Sequence, residues 1–240
     1  MTPPIREDSA VALIPARGGS KSIPLKNLIS LNGQPLIHYV IAAGLNCTTL
    51  EGVYCSTDHD GIADYCRSRQ VTVIPRPEAL GGDDSPVADV MRHALAWIGE
   101  EKGYVPGILA LLQPTSPLLL ADHITASIEK MRANPQADSV QTVVPVLHNT
   151  HAYNQRTFLD GQVAFHFAKE RKLAYNKQRK PAFFQFGNLV TSRSRALLDG
   201  GDPFGAHSLG IEVARHHSLD VDGRDDIAYA EFLLKQSQQP

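Results

Sequence analysis

"VALIPARGGSKSIPLKN", residues 11–27, decides how the chain is read. A short apolar run, Val11 to Ile14, passes straight into a turn that holds Gly18, Gly19, Arg17, Lys21 and Lys26. Such a turn gathers like charge and costs conformational entropy, so an anion is expected against it. Glycines let the backbone come close to that anion, and successive N–H groups form a concavity that favours it. On an open parallel sheet, ligands collect at the carboxyl ends of strands, where the strand order reverses, and this turn leaves the first strand at such an end. It is not a P-loop: there is no G-x-x-x-x-G-K-[ST], and the lysine lies two residues past the second glycine.

Outward from this turn the chain alternates. Strands are expected at Val11–Ala16, Gly52–Ser56, Val71–Ile74, Gly107–Leu112 and Asp138–Val144. Helices are expected at Gln34–Gly44, Gly61–Ser68, Ser85–Gly99 and Ala121–Ala133, from apolar residues at three- and four-residue steps. Gly107–Leu112 is continuously apolar, as a central strand covered on both faces should be. The alternation predicts an α/β fold of three layers, a mostly parallel twisted sheet with helices on both faces. It breaks at residues 145–181, a polar and basic excursion in which Thr157–Leu159 and Gln162–Phe167 form a candidate hairpin closed by Asp160-Gly161. The excursion is expected as a dimer arm or a cover over the site; a plain surface excursion is the alternative. Phe186–Thr191 and Leu209–Val213 read as strands and Asp225–Lys235 as the closing helix.

The 240 residues suit one domain, residues 1–240 with the excursion inside it. Hydrophobic residues make up 42% and charged residues 20%, enough to bury a core. The net charge of −2 argues against a nucleic-acid partner, so any basic site is local. The opening MTPPIREDSA does not read as a secretory signal, and no apolar run is long enough to cross a bilayer. Cys47, Cys55 and Cys66 have no metal-type spacing and fit core thiols in a reducing compartment, so a cytoplasmic location is expected. No H-E-x-x-H zinc spacing and no G-x-S-x-G elbow is present.

Ala16–Asn27, A-R-G-G-S-K-S-I-P-L-K-N, resembles the signature of the acylneuraminate cytidylyltransferases, the CMP-sialic acid synthetases. Further motifs extend the resemblance over nearly the whole chain. They are "STD" at Ser56–Asp58, "RPEAL" at Arg76–Leu80 before "GDDS", "LLQPTSPLL" at Leu111–Leu119 and "HSLDVD" at His217–Asp222. The resemblance implies a nucleotide-diphospho-sugar transferase-like, Rossmann-like sheet and a homodimer. It also implies a reaction in which the anomeric hydroxyl of a 3-deoxy-2-ulosonic acid attacks the α-phosphorus of CTP and pyrophosphate leaves.

By the same resemblance, Ala16, Arg17, Gly18, Gly19, Ser20, Lys21 and Asn27 hold the nucleotide, and Arg76 lies near the cytosine pocket. Gln113, Thr115 and Ser116 face the sugar side, with Gln185 and Asn188 bordering it. Arg17, Lys21 and Asp222 carry the chemistry. Asp220 and Asp222 stand at alternate positions of an extended segment, so both carboxylates face one way and can share a hard cation. The resemblance also places Mg²⁺ there; an acidic turn or helix cap is the other reading, since Asp225 and Asp226 follow.

Two places depart from the pattern. Pro86-Val87 stands where many members carry hydroxyl residues near the base. "PAFFQFGNLVTS", residues 181–192, replaces the Gly-Ala-Ile-Tyr run of sialic acid enzymes, and the basic residues shift to Asn176–Lys180. The acid is therefore expected to differ from N-acetylneuraminate: a legionaminic-, pseudaminic- or octulosonic-type acid, or a less usual one. Lys177, Arg179 and Lys180 are candidates to pair with its carboxylate. Two other readings stand beside this one. A sugar 1-phosphate nucleotidyltransferase would carry G-x-G-[ST]-R where Ala16-Arg17-Gly18-Gly19 stands. A non-catalytic nucleotide-binding homologue would have kept the cradle and lost the sugar site.

Overall fold

A computed structural model describes residues 3–20, 22–82 and 84–237 of the chain. Its centre is a seven-stranded sheet. The strands are β1 (Ile5–Pro15), β4 (Val53–Thr57), β5 (Thr72–Pro75), β6 (Val105–Leu112), β7 (Ser139–Pro145), β10 (Phe184–Arg193) and β11 (Ser208–Glu212), in spatial order 11-7-10-6-1-4-5. All pairings are parallel except those of β10, which runs antiparallel to both β6 and β7. The mostly parallel sheet expected from the alternation is the one observed; the reversal of β10 had no counterpart in the sequence reading.

The period-two geometry of strands sorts the core into two halves. On β1, Ala10, Ala12, Ile14 and Ala16 face one cluster with α1 (Ile37–Leu45), α2 (Asp60–Ser68) and α4 (Ala121–Ala133). Val11 and Leu13 face the other, with α3 (Val87–Lys102) and α6 (Ser194–Leu198). This is the three-layer arrangement. A third cluster seats α7 (Arg224–Ser237) through Ala230 and Leu234 against Leu31, Leu36, Leu118 and Val221. It fixes the acidic segment before α7 to the end of the sheet.

Element ends moved where local chemistry decided them. Strand β1 begins at Ile5, earlier than expected, and its Ile5 and Arg6 pair with Val105 and Pro106. The first helix starts at Ile37 because Gln34–Pro35 (β3) pairs back on Ser30–Leu31 (β2). Asn32 and Gly33, both at positive φ, close that small hairpin, and Asn-Gly is the pair such a turn favours. The second hairpin, β8 (Arg156–Leu159) with β9 (Gln162–Phe165), is closed by Asp160-Gly161 at positive φ, as read from the sequence.

The excursion packs on itself. His151 stacks on Phe183 with ring centroids 4.6 Å apart, and Tyr153 meets both rings edge-on. The short helix α5 (Ala168–Leu173) sends the Arg171 guanidinium over the Phe165 ring at 4.0 Å. Phe158, Leu159, Val163, Leu173 and Tyr175 remain exposed on its outside. The three cysteines are free and buried, as core thiols. Among the described residues, no helix is long and apolar enough to cross a membrane.

Candidate active site

The chain runs from β1 to β4 and β5 on one side and returns to β6 on the other, so the order reverses between β1 and β6. At their carboxyl ends opens a cleft of about 280 Å³. Residues leaving β1 line one wall: Pro15, Arg17, Gly19 and Ser20, with Lys26 and Asn27 behind them. Residues leaving β6 line the other: Gln113, Pro114 and Thr115. Val87, at the start of α3, completes it. Crevices of this kind are where open α/β sheets take ligands.

The glycine turn is held by contacts that its own letters do not reveal. Asp58, at the end of β4, accepts a hydrogen bond from the Gly18 N–H at 2.8 Å. A side chain at Gly18 would place its Cβ 2.8 Å from His59 Cβ and Cδ2. His59 in turn caps α2, its Nδ1 accepting from the Gly61 N–H. The Asn27 amide donates to the Arg17 carbonyl at 3.0 Å, so Asn27 both lines the cleft and braces the turn. Ala16 is fully buried and its N–H is committed to the Ser56 carbonyl. Lys21 lies outside the described residues.

Arg76 lines neither this cleft nor its neighbour. It is buried, and its Nε and Nη2 donate to the hydroxyl and carbonyl of Ser56. Burial pulls its guanidinium below the ordinary pKa, against the charge of nearby Asp58. The structure thus places Arg76 under the strand end that carries Asp58, where it fixes the turn from below. Ser116 is also buried; its N–H closes a turn onto the Gln113 carbonyl.

A second cavity, of about 480 Å³, is lined by Gln185, Arg215, His216, Ser218, Leu219, Asp220 and Tyr229. The two cavities are joined at Thr115. Its carbonyl accepts from the Val221 N–H at 2.8 Å, and its hydroxyl favours the charged form of the nearby Asp220 carboxylate. The segment 219–223 is extended but pairs in no ladder, with Val221 buried between exposed Asp220 and Asp222. The expected alternation holds. The start of α7 is tied by Asp226 in its first turn, whose Oδ2 reaches back and accepts from the N–H groups of Asp222 and Gly223. Capping therefore does not occupy the side chains of Asp220 and Asp222.

Asp220 keeps exposed surface, but the protein packed around its carboxylate displaces part of its solvent and raises its pKa. The Thr115 hydroxyl and Lys26 oppose that shift, and the charges of Asp222 and Asp226 add to it. Asp222 is 77% exposed and meets Lys26 Nζ at 3.0 Å, a pair that bridges the glycine turn and the acidic segment. Among the described residues, no group of three or more His, Cys, Asp or Glu gathers as a metal cage. Two crowded carboxylates beside a phosphate-sized cleft do suit a hard cation that takes its remaining ligands from phosphate and water.

Asn188 has no exposed surface. It sits in a bulge of β10, where the ladder to β7 shifts register between Phe186 and Val190. The Thr142 hydroxyl accepts from the N–H groups of both Asn188 and Leu189, at 2.9 and 3.0 Å, and donates to Asn188 Oδ1. A Cβ at Gly187 would lie 2.5 Å from Thr142 Oγ1, which is why glycine stands there. The Asn188 amide then donates to the His217 carbonyl at 2.8 Å. Asn188 lines neither cavity, and its amide braces the turn Arg215–Ser218 that leads into Asp220. His217 Nδ1 pairs with the Leu118 carbonyl, and His217 packs edge-on against His123 at 4.6 Å. Burial lowers both imidazoles, helped for His123 by His217 and for His217 by His216; His123 falls to about 4.

Lys180 and Arg179 make their contacts inside the excursion. Lys180 donates to Asn154 Oδ1, Arg179 lies over the Tyr175 ring, and Lys177 opens a short 3₁₀ turn. None of the three lines either cavity. Lys26, counted among the cations of the turn, lines the cleft; Asp58, His59 and Arg215 enter the site without having been singled out as site residues. The glycine-turn motif held the signal for Lys26, and "STD" held it for Asp58.

The family profile described as Cytidylyltransferase matches residues 11–200. The chain belongs to the cytidylyltransferase family. Among its relatives, the N-acylneuraminate cytidylyltransferase of Escherichia coli O18:K1:H7 is 29% identical over 92% of this chain and 51% of its own length. The pseudaminic acid cytidylyltransferase of Campylobacter jejuni is 26% identical over 95% of this chain and 97% of its own. This family member thus spans about half the length of the N-acylneuraminate enzymes it matches, and nearly all of the pseudaminic acid enzyme. A solved CMP:2-keto-3-deoxy-manno-octonic acid synthetase bound to CTP shares the fold, with a TM-score of 0.72, 17% identity and coverage of 95% of this chain and 99% of that one.

Proposed function

We propose that this chain couples CTP to the anomeric hydroxyl of a 3-deoxy-2-ulosonic acid, giving a CMP-sugar acid and pyrophosphate. The observation that carries the reading is the cleft at the β1/β6 switch point, where Arg17, Gly19, Ser20 and Lys26 stand opposite Gln113 and Thr115. Negative charge grows on the leaving pyrophosphate, and preorganised cations and N–H dipoles stabilise it. Arg17, Lys26 and the N–H groups of the turn would do so, with Lys21 of the same motif as a further cation by sequence. The hydroxyl oxygen of the acid forms the new bond to the α-phosphorus, the bond to the bridging oxygen breaks, and the hydroxyl proton leaves. Thr115 joins the two cavities, so a nucleotide in the first and an acid in the second would meet beside it.

Asp220 and Asp222 would hold Mg²⁺. When bound, the ion supplies charge neutralisation for the phosphates and lowers the pKa of a coordinated hydroxyl. Asp58 and Asn27 fix the turn, and Arg76 fixes Asp58. The acid is of the nonulosonic or octulosonic class, the substrates named for the relatives. A homodimer through the excursion is supported by its six exposed large apolar side chains, Leu147 among them. Sedimentation would show a single 26.2 kDa species if that part is wrong.

The test is pyrophosphate release from CTP, UTP, ATP and GTP with Mg²⁺, against N-acetylneuraminate, pseudaminate and 2-keto-3-deoxy-manno-octonate. Release with CTP and one acid supports the reading. Binding of CTP without release with any acid favours the non-catalytic homologue, and preference for another nucleotide removes the reading altogether.

A further inference from the structure

We propose that Arg215 receives the carboxylate of the sugar acid in the second cavity; this rests on the function proposed above. Arg215 is the one Lys or Arg among the described residues that line this cavity. Among the described residues its side chain has no ion pair, hydrogen bond or aromatic face, so its guanidinium is uncommitted. Several other cations near the site have partners of their own. Lys26 pairs with Asp222, and Lys180, Arg171 and Arg179 are bound inside the excursion.

The backbone beneath Arg215 is rigidly held. The turn Arg215–Ser218 is tied by the Ser218 hydroxyl, which donates to the Arg215 carbonyl at 2.8 Å. His217 anchors the same turn through Leu118, Asn188 and His123. With His217 turned into the protein, Arg215 and His216 stand at the cavity. A guanidinium presents its donors in a planar fork that matches a carboxylate bidentately, which an ammonium cannot do. The neighbours supply the rest of a polar ligand's needs: the Gln185 amide, the Tyr229 hydroxyl and the Asp220 carboxylate line the same cavity. In a 2-ulosonic acid the carboxylate is attached to the carbon that bears the attacking hydroxyl. Asp220 and Arg215 lining one cavity is the arrangement such a molecule requires: an anion receptor next to the site where the hydroxyl loses its proton.

The experiment compares wild type with R215A and R215K in steady-state pyrophosphate release, using the three acids named above, with CTP binding measured separately. R215A is expected to raise KM for the acid about tenfold or more, as loss of a charge-assisted contact does, while KM for CTP stays within about twofold. R215K should recover part of the loss, because it restores the charge and not the fork. The carboxamide of the accepted acid should be a poor substrate for wild type and should lose little further with R215A. An acid KM within about twofold of wild type in R215A overturns the assignment, as does a parallel rise in the KM of both substrates, which marks a collapsed turn. Turnover by wild type that R215A leaves intact fails this inference alone. No turnover with any acid, CTP still bound, fails the reading on which it rests and the assignment with it.

Discussion

Replacing Thr142 by valine removes one oxygen and leaves the volume nearly unchanged, yet it should be among the most costly substitutions in the sheet. The Thr142 hydroxyl is the acceptor for two backbone N–H groups of the β10 bulge and the donor to Asn188 Oδ1. Thr142, Asn188 and Leu189 are all fully buried, so water does not reach the orphaned groups. Each buried donor left without a partner costs about 1–3 kcal/mol, so two give about 2–6 kcal/mol. Burying a methyl in place of the hydroxyl offsets about 1 kcal/mol of that. The net expectation is a loss of about 3 kcal/mol, a large share of the roughly 5–15 kcal/mol that holds a domain together. Urea unfolding of wild type and T142V measures it, with the slope m unchanged. The substitution also loosens Asn188, which braces the His217 carbonyl, so the Mg²⁺ concentration for half-maximal pyrophosphate release should rise. A stability change under about 0.5 kcal/mol would refute the reasoning, because it would mean the bulge is not stapled by this hydroxyl.

Three further outcomes are expected. G18A drives a Cβ into His59 and should weaken CTP binding while leaving the urea midpoint near that of wild type, since the clash falls on a surface turn. D222A releases Lys26 and removes one of two carboxylates, so Mg²⁺ titration of turnover should shift to higher concentration with KM for the acid less affected. Through His123 and His217, stability should fall with pH below the ordinary imidazole value of 6.5, the contribution of His123 being spent below about 4. The sign follows from burial. His123 faces His217, His216 and Asp122, and folding holds it and His217 neutral, so between those pH values the unfolded chain binds more protons and folding is progressively disfavoured. Urea midpoints across that range check it, and H123Q should flatten the slope.

What the sequence made legible was what depends on local pattern. The apolar period along β1 and α3 gave the layers, and glycines followed by cations gave the turn at the switch point. The Asp160-Gly161 hairpin was legible because two positive-φ residues leave little choice of turn. The reversal of β10 was not legible, since a short apolar strand reads alike in either direction. The exposure of Asp220 and Asp222 on either side of buried Val221 was legible because alternation survives even without a ladder. The burial of Asn188 was not legible because its neighbours look like a pocket edge in one dimension, while the Thr142 staple that buries it comes from 46 residues away. Arg76 was drawn to the base by its motif, and only the contact with Ser56, 20 residues away, shows it beneath the turn. Arg215 was passed over because nothing local distinguishes an uncommitted arginine from a solvated one.

The central claim is that the crevice between β1 and β6 takes the triphosphate of CTP. A crystal structure of the protein with CTP tests it most directly. The account predicts the phosphates against Gly19 and Ser20 with Arg17 and Lys26 beside them, and the α-phosphate turned toward Thr115 and the second cavity. A nucleotide bound elsewhere on the sheet, or in this crevice with its phosphates turned away from residues 17–20, would contradict it.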